Sequence, residues 1–312
     1  MKDLLRTQDL SRDDVELLLE TAAAFAKDPL RSKSALANKS VAIYMTKPST
    51  RTRLSSETAV AHLGGVPIFI RGDELQLGRG ETIADTAKII SGYCSALIIR
   101  TFAQSDVDEL GKHASIPVIN ALTDDDHPTQ LLADWLTIRE NFGKDIAGRK
   151  FVYLGDGNNM SHAWLIMGAI MGAHVVAATP SGKWAPSAKI VEIAKNIAAK
   201  SGGKVEVSHD PEAASKDASV LYTDVWMSMG DSESERDEKV LALSPFAVTE
   251  NLFSLAKKDS IFMHCLPAHR GEEVEASVID GPRSVIWREA YHRRTTIQSL
   301  LFHLTQGDLK GN

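Results

Sequence analysis

Cysteine is scarce in this chain. Cys94 and Cys265 are the only two in 312 residues, too few and too far apart for a disulfide framework, and a reducing cytoplasm suits such usage. No run of 18 or more apolar residues occurs, which excludes a hydrophobic membrane-spanning helix. Positive charge is not in excess. The 35 Lys and Arg stand against 41 Asp and Glu, a formal net charge of -6, so a nucleic-acid partner is disfavoured. The opening MKDLLRTQDLSRDDVELLLE lacks the basic start and apolar core of a signal peptide. Internal repeats and low-complexity tracts are also missing. What remains, 43% hydrophobic and 24% charged, is an ordinary soluble globular composition, and the length suits two domains of roughly 150 residues each.

Short apolar runs alternate with helical patterns along the chain. The runs are Val41 to Met45, Val66 to Ile70, Ala96 to Ile99, Ile116 to Ile119, Phe151 to Leu154, His174 to Ala178, Ser219 to Tyr222, Ile261 to Met263 and Ser284 to Trp287. Near-continuous apolarity is what strands covered on both faces need, and helical segments between them indicate βαβ units. The fold class expected is α/β, with two parallel-sheet αβα domains and an active site in the cleft between them. Leu131 to Asn141 reads as a helix with Leu131, Leu132, Trp135, Leu136 and Ile138 on its apolar face. Asn141, Gly143 and Gly148 follow, which puts the boundary near 140 and the domains at 1–140 and 141–312. A last helix is expected from Ala290 to Leu304, with Ile297, Leu300 and Leu301 on one face.

The strand ends carry the chemistry. In open parallel sheets, ligands bind beyond the carboxyl ends of strands, and five such ends here carry polar clusters. Ser49-Thr50-Arg51-Thr52-Arg53 offers a capping hydroxyl, free helix N–H groups and a guanidinium, the parts of a phosphate site. The bland alternative is a capped helix with solvated arginines. His127-Pro128-Thr129-Gln130 puts a cap residue before a proline at the first helical position. His127 can donate to a carbonyl oxygen and Gln130 can accept from an amide-like NH₂, the two polar ends of a carbamoyl group. Gly155-Asp156-Gly157-Asn158-Asn159 is half a dinucleotide fingerprint. Met160 replaces the third glycine, which argues against a nicotinamide site. One asparagine is expected to cap the helix, and together they can hold an amino acid's carboxylate and amine. Asp224, with Ser228-Met229-Gly230 after it, can hold an ammonium, while the acidic run Asp231 to Glu238 reads as a solvated, mobile lid. His264-Cys265-Leu266-Pro267 is the fifth cluster. His264, Cys265 and His269 lack a fourth ligand at a usual spacing, so no metal site is expected. Cys94 reads as core.

With these five clusters in order, and with Arg100 after its own strand, the chain resembles the ornithine carbamoyltransferases of the aspartate/ornithine carbamoyltransferase family. Gln76-Leu77-Gly78 and Ala290 to Arg293 extend the likeness over nearly the whole chain. Ser-Thr-Arg-Thr-Arg and His-Pro-Thr-Gln belong to the wider family; Asp224 with Ser-Met-Gly, and His-Cys-Leu-Pro, mark the ornithine enzymes. The resemblance implies a carbamoyl phosphate domain, then an ornithine domain, and a cytoplasmic homotrimer with shared active sites acting in arginine metabolism without metal or organic cofactor. By resemblance, Ser49, Thr50, Arg51 and Thr52 hold the phosphate, and Arg100, His127 and Gln130 hold the carbamoyl group. Arg293 reaches in from the last helix, at about 290–306, which packs back on the first domain, and Gln76 comes from a neighbouring subunit. Asn159, Asp224, Ser228 and Met229 hold ornithine, and Cys265 with the Leu266 backbone lies between the substrates. Cys265, Arg100 and His127 are the catalytic candidates. Two positions depart from the family pattern. Ser55-Ser56 precede Glu57 where many relatives have an aromatic, and His292 stands where an Asn usually precedes Arg293, which leaves Arg294 as a competitor for that role. Rival readings are a carbamoyltransferase for putrescine, acetylornithine or aspartate, a binding protein that kept the fold and lost the chemistry, and a nucleotide-binding oxidoreductase.

Overall fold

A computed structural model describes residues 1–75, 80–227 and 232–312, leaving aside the Glu233 side chain. The chain divides into two compact units, one made of Met1–Leu136 with Tyr291–Asn312, the other of Thr137–Ala290.

The first unit holds helices α1 (Arg12–Lys27), α2 (Thr50–His62), α3 (Ile83–Tyr93) and α4 (Gln104–His113), and α5 (Pro128–Phe142) begins in it. Its strands are β1 (Ser40–Met45), β2 (Val66–Arg71), β3 (Ala96–Arg100) and β4 (Val118–Leu122), ordered β2-β1-β3-β4, with all neighbours parallel. Ala42, Tyr44, Leu97, Ile99, Val107, Leu110 and Val118 form a core under α3 and α4. Cys94 packs half-buried at its margin. The β4 strand starts two residues later than the apolar run, just after Pro117, which has no N–H for a ladder.

The second unit holds α6 (Asn159–Ile170), α7 (Ala188–Ser201), α8 (Pro211–Ser215), α9 (Arg236–Leu243), α10 (Glu250–Ser254) and α11 (Ala276–Ile279). Its strands are β5 (Lys150–Leu154), β6 (His174–Ala178), β7 (Lys204–Ser208), β8 (Val220–Thr223) and β9 (Ile261–His264), ordered β7-β6-β5-β8-β9 and again all parallel. Val152, Leu154, Val176, Leu221, Phe262 and Val278 pack in one core, and Trp164 lies 5.0 Å from Tyr222 among fully buried side chains. The last helix, α12 (Ile286–Gln306), starts in this unit and ends in the first, where Phe302 meets Phe25 edge-on at 6.1 Å and Ser299 donates to the Leu18 carbonyl at 2.8 Å.

The expected class, two parallel α/β sheets, is what the chain forms. Three local expectations fail. The strand β7 was not anticipated, because Lys204-Val205-Glu206-Val207-Ser208 alternates polar and apolar, as an edge strand with one solvated face does. Ser284 to Trp287 is not a strand: Ser284 makes a single bridge to Phe262 and α12 starts at Ile286. The acidic run before Glu238 is not a free loop in its described part. It forms a 3-10 turn, Glu233–Glu235, leading into α9, and Lys183 pairs with Glu235 at 2.9 Å while Arg236 pairs with Glu272 at 3.0 Å. These charges are paired with residues from other segments, which a count of acidic residues cannot reveal.

Candidate active site

Both sheets reverse their strand order once, and the polar clusters sit there. In the first unit the switch lies between β1 and β3, whose ends are level, Met45 opposite Arg100. In the second it lies between β5 and β8, with Leu154 opposite Thr223 and Thr223 opposite His264. Helices leave in opposite directions at such a point, so a crevice opens between their N-termini.

In the first unit, Ser49 caps α2, accepting from the Thr52 N–H at 3.3 Å and donating to Thr52 Oγ1 at 3.2 Å. Gly64, just past the C-cap, has φ +82, and a Cβ there would lie 2.0 Å from the Lys33 carbonyl oxygen. Ser49 and Thr50 line a cavity of about 820 Å³ together with Arg53, Phe69 and Arg71. Arg53 is turned away from Thr52, donating to Glu57 at 3.0 Å and stacking 3.8 Å over Phe69. Ser55 and Ser56 are buried, and Ser55 donates to the Thr52 carbonyl at 3.2 Å, so this departure from the family pattern is filled by small side chains.

Arg100 follows a register shift between Ile99 and Arg100, a bulge that re-aims the strand end. His127 precedes α5 and its carbonyl accepts the Gln130 N–H at 3.1 Å. Gln130 is fixed from both ends: its amide donates to Asp134 at 2.8 Å and its oxygen accepts from Arg293. Arg293 also donates to Thr52 Oγ1 at 3.4 Å. Arg294 instead meets His62 at 3.2 Å, Gln298 at 2.9 Å and Tyr291 at 2.8 Å, so it is Arg293 that stands by Thr52 and Gln130. His292 is buried and turned to Thr295 at 3.2 Å, which leaves its neighbour's direction undisturbed.

The electrostatics of this set follow from burial. His127 is pushed well below the ordinary histidine pKa by desolvation first, then by the guanidiniums of Arg293, Arg100 and Arg51. Its ring is therefore neutral at physiological pH beside three cations. Asp126, next to it, is pushed up to about 6 by burial, although it accepts from the Thr7 N–H at 2.6 Å, the Thr7 hydroxyl at 2.7 Å and the His127 N–H at 2.8 Å. An elevated carboxyl pKa means the folded chain holds a proton that the unfolded chain has lost. The contribution of Asp126 to stability thus falls as pH rises from the unfolded value of 3.8 through about 6. At most it amounts to roughly 3 kcal/mol. Relative to Asp126→Asn, the wild-type melting temperature should decline across that window, and melting curves from pH 4 to 7 would check it. Parallel pH profiles would contradict it.

In the second unit, Asn158 caps α6, accepting from Met160 N–H at 2.9 Å and Ser161 N–H at 3.2 Å, and Asn159 opens the helix. The turn is tight: a Cβ on Gly157 would lie 2.2 Å from the Ala185 carbonyl carbon. Asn158 also donates to Asp224 Oδ2 at 3.2 Å, a second role that capping statistics alone do not suggest. Cys265 Sγ donates to the other oxygen, Asp224 Oδ1, at 2.9 Å, and the Val225 N–H reaches the same atom at 2.8 Å. Buried Tyr153, whose hydroxyl donates to Asn158 at 3.2 Å, is held well above the ordinary phenol pKa by desolvation, then by Asp224, Asp156 and Cys265. It stays a neutral donor. Leu266 has φ +59, unusual for a residue with a side chain.

Sequence reasoning missed Lys239. This buried lysine on α9 pairs with Asp156 at 2.7 Å and lies 5.2 Å from the Trp184 ring, tying α9 to the Gly155–Asn159 turn. The five acidic residues between Asp231 and Glu238 hid a cation that turns inward. Gln76, Ser228 and Met229 lie outside the described residues. Among the described residues, His269, Glu272 and Glu273 are near enough to share a metal ion, but Glu272 is engaged by Arg236 and none of the three belongs to either cluster. His264, Cys265 and His269 do not form such a group among the described residues.

Comparison with known proteins supplies the frame for these clusters. Residues 2–140 match the family model for the aspartate/ornithine carbamoyltransferase carbamoyl-P binding domain, and residues 147–304 match that for the Asp/Orn binding domain. The chain is 48% identical over 308 residues to an ornithine carbamoyltransferase of Pyrococcus horikoshii, covering 98% of this chain and 96% of the relative. The solved structure of ornithine carbamoyltransferase from Pyrococcus furiosus superposes with a TM-score of 0.93 at 47% identity, covering 99% of this chain and 98% of that one. An anabolic ornithine carbamoyltransferase from Campylobacter jejuni gives 0.91 at 36% identity, covering 98% and 100%. With matching domain models over both halves and full-length relatives near half identity, the chain belongs to the aspartate/ornithine carbamoyltransferase family.

Proposed function

We propose that this chain transfers the carbamoyl group of carbamoyl phosphate to the δ-amine of L-ornithine, giving L-citrulline and phosphate. The observation that carries the reading is the pairing of Cys265 with Asp224 at 2.9 Å, in a chain 48% identical to a protein named for this activity. Residues 1–140 serve as the carbamoyl phosphate domain and 141–312 as the ornithine domain, with the end of α12 returning to the first. Ser49, Thr50, Arg51 and Thr52 take the phosphate at the N-terminus of α2. Arg100, His127, Gln130 and Arg293 take the carbamoyl group. Asn159 and Asp224, with Ser228 and Met229, take the amino acid, and Cys265 and the Leu266 backbone face the reacting amine.

The chemistry runs without redox change. Ornithine's δ-amine resembles lysine, with a free pKa of ~10.4, so it must lose a proton before it attacks. Asp224 and Cys265 orient it and ease the loss of that first proton to solvent. The nitrogen bonds to the carbamoyl carbon, negative charge collects on the carbonyl oxygen, and Thr52, Arg100 and neutral His127 donate to it. The carbon–oxygen bond to phosphate then breaks, the electron pair leaves with phosphate, and phosphate takes the second amine proton. Arg51 and the helix end stabilise the departing charge. Carbamoyl phosphate is already activated, so the chain's own donors suffice.

Cys265→Ser keeps a donor to Asp224 but changes its acidity and size. It should cut turnover with ornithine while the affinity for carbamoyl phosphate stays near normal; unchanged ornithine kinetics would remove Cys265 from the mechanism. The activity itself is tested with carbamoyl phosphate labelled on its carbonyl carbon. The label should appear in citrulline only when ornithine is present, and label released as cyanate or bicarbonate alone would refute transfer.

The assembly proposed is a homotrimer in the cytoplasm, with Gln76 donated between subunits. Among the described residues no helix is long and apolar enough to cross a membrane. In support of assembly, β2 is an edge strand that exposes Val66 and Ile68, and α2 exposes Leu54. An apolar open edge is a liability unless covered. Light scattering should return three times the mass of one chain, and a monomeric, active protein would contradict the shared site.

A further inference from the structure

His264 ends β9 immediately before Cys265, and none of the roles above uses it. It is buried, with three bonds that fix it. Its own N–H donates to Glu289 Oε2 at 3.0 Å, its Nδ1 accepts the Leu266 N–H at 2.8 Å, and its Nε2 lies 3.2 Å from Glu273 Oε1. A backbone N–H can only donate, so Nδ1 must be bare and the ring proton must sit on Nε2, aimed at the Glu273 carboxylate. Glu273 is itself fully buried, and the same oxygen takes the His269 N–H at 2.5 Å. Glu289 is buried too and receives the Tyr222 hydroxyl at 3.3 Å.

The bond from Leu266 matters because of where that residue sits. Leu266 holds φ +59, a left-handed conformation that is unfavourable for a residue with a Cβ and persists only where the surroundings impose it. Its N–H follows Cys265, whose thiol is bound to Asp224. The imidazole therefore closes a tight turn around the residue that meets the amine, and Glu273 fixes the tautomer that makes this possible.

We infer that His264, held as its Nε2–H tautomer by Glu273, is a positioning residue that sets the Cys265–Leu266 turn for the incoming amine. This rests on the proposed roles of Cys265 and Leu266. The amide side chains separate the two halves of the device. Asparagine can offer an oxygen close to the place of Nδ1, and glutamine can offer an NH₂ close to the place of Nε2. His264→Asn keeps an acceptor for Leu266 and loses the link to Glu273; His264→Gln does the reverse.

The test compares kcat/KM for ornithine, the dissociation constant of carbamoyl phosphate without amine, and the melting temperature in the two variants and in Glu273→Gln. The inference expects His264→Gln to lose about tenfold or more in kcat/KM for ornithine, the scale of one buried hydrogen bond. His264→Asn should recover most of that loss, and carbamoyl phosphate should bind all variants as it binds wild type. Equal losses in both His264 variants, tracking melting temperature, would overturn it, as would parallel loss of carbamoyl phosphate affinity. Exchange of the Leu266 amide is read on the same proteins by NMR. It should quicken in His264→Gln and stay slow in His264→Asn, and the reverse or no difference overturns the inference. If wild type does not turn over ornithine, the proposed function fails, while the amide exchange still decides whether His264 holds the turn.

Discussion

His127→Ala is expected to lower kcat for carbamoyl transfer by about 10²–10³, the usual cost of removing one donor to a developing oxyanion. The ring is buried and close to Arg51, Arg100 and Arg293, which together with desolvation keep it neutral. A neutral ring is a donor that needs no proton from solvent, so it serves the transition state without first becoming charged. The pH profile gives this prediction a sign. The folded-state pKa of His127 lies well below 6.5, so the acid limb of kcat should not show a step near the ordinary histidine value that disappears in His127→Ala. Stability moves the other way: below the unfolded pKa of 6.5 the unfolded chain binds a proton there that the folded chain refuses, so that part of the stability is lost as pH falls from 6.5 toward the folded pKa. Stopped-flow and steady-state rates of wild type and variant across pH check both points. A variant within threefold of wild type at saturating substrates would remove His127 from the oxyanion role.

Asp224→Ala is the second large effect. Asp224 is buried and gathers the Cys265 thiol at 2.9 Å, the Asn158 amide at 3.2 Å and the Val225 N–H at 2.8 Å. Removing the carboxylate takes the shared acceptor from those donors and removes a negative charge offered to the substrate ammonium. Truncating one partner of a buried hydrogen-bonded charge pair in a complex costs roughly 2–5 kcal/mol, so kcat/KM for ornithine should fall by about 10² or more. Carbamoyl phosphate affinity should stay within a few fold, because the residues assigned to it belong to the other unit. Calorimetry with carbamoyl phosphate alone, beside ornithine kinetics, separates these outcomes. A parallel loss of both would mean that Asp224 supports the fold and not the amine.

How much of this was legible in the sequence depends on the physics of each element. Covered strands betray themselves as apolar runs, and β2 does so too because its exposed edge is itself apolar, so eight of the nine strands among the described residues were placed, and the polar residues after them marked the switch points. The strand β7 escaped because its solvated face carries Lys204, Glu206 and Ser208, which break the apolar run. Ser284 to Trp287 misled because a short apolar run reads equally as a strand or as the start of a buried helix. The cap at Ser49 and the N-terminal proline of α5 were readable because they depend on neighbours in sequence. Lys239 on Asp156 and Glu273 on His264 were not, since each partner comes from another element, and Asp134 on Gln130, although one helical turn away on α5, was missed as well. Asp126 is the last of three acids in the run Asp124-Asp125-Asp126, and its burial against Thr7 sets it apart from the other two.

The most direct test of the account is a substrate panel. Phosphate release from carbamoyl phosphate is followed in parallel with ornithine, putrescine, acetylornithine and aspartate at equal concentrations. The account predicts fast turnover with ornithine, with citrulline appearing in step with phosphate, and little with the other three. Preferred turnover of putrescine, acetylornithine or aspartate would contradict the assignment of Asp224 and Cys265 to ornithine, and no turnover with any amine while carbamoyl phosphate still binds would contradict transfer itself.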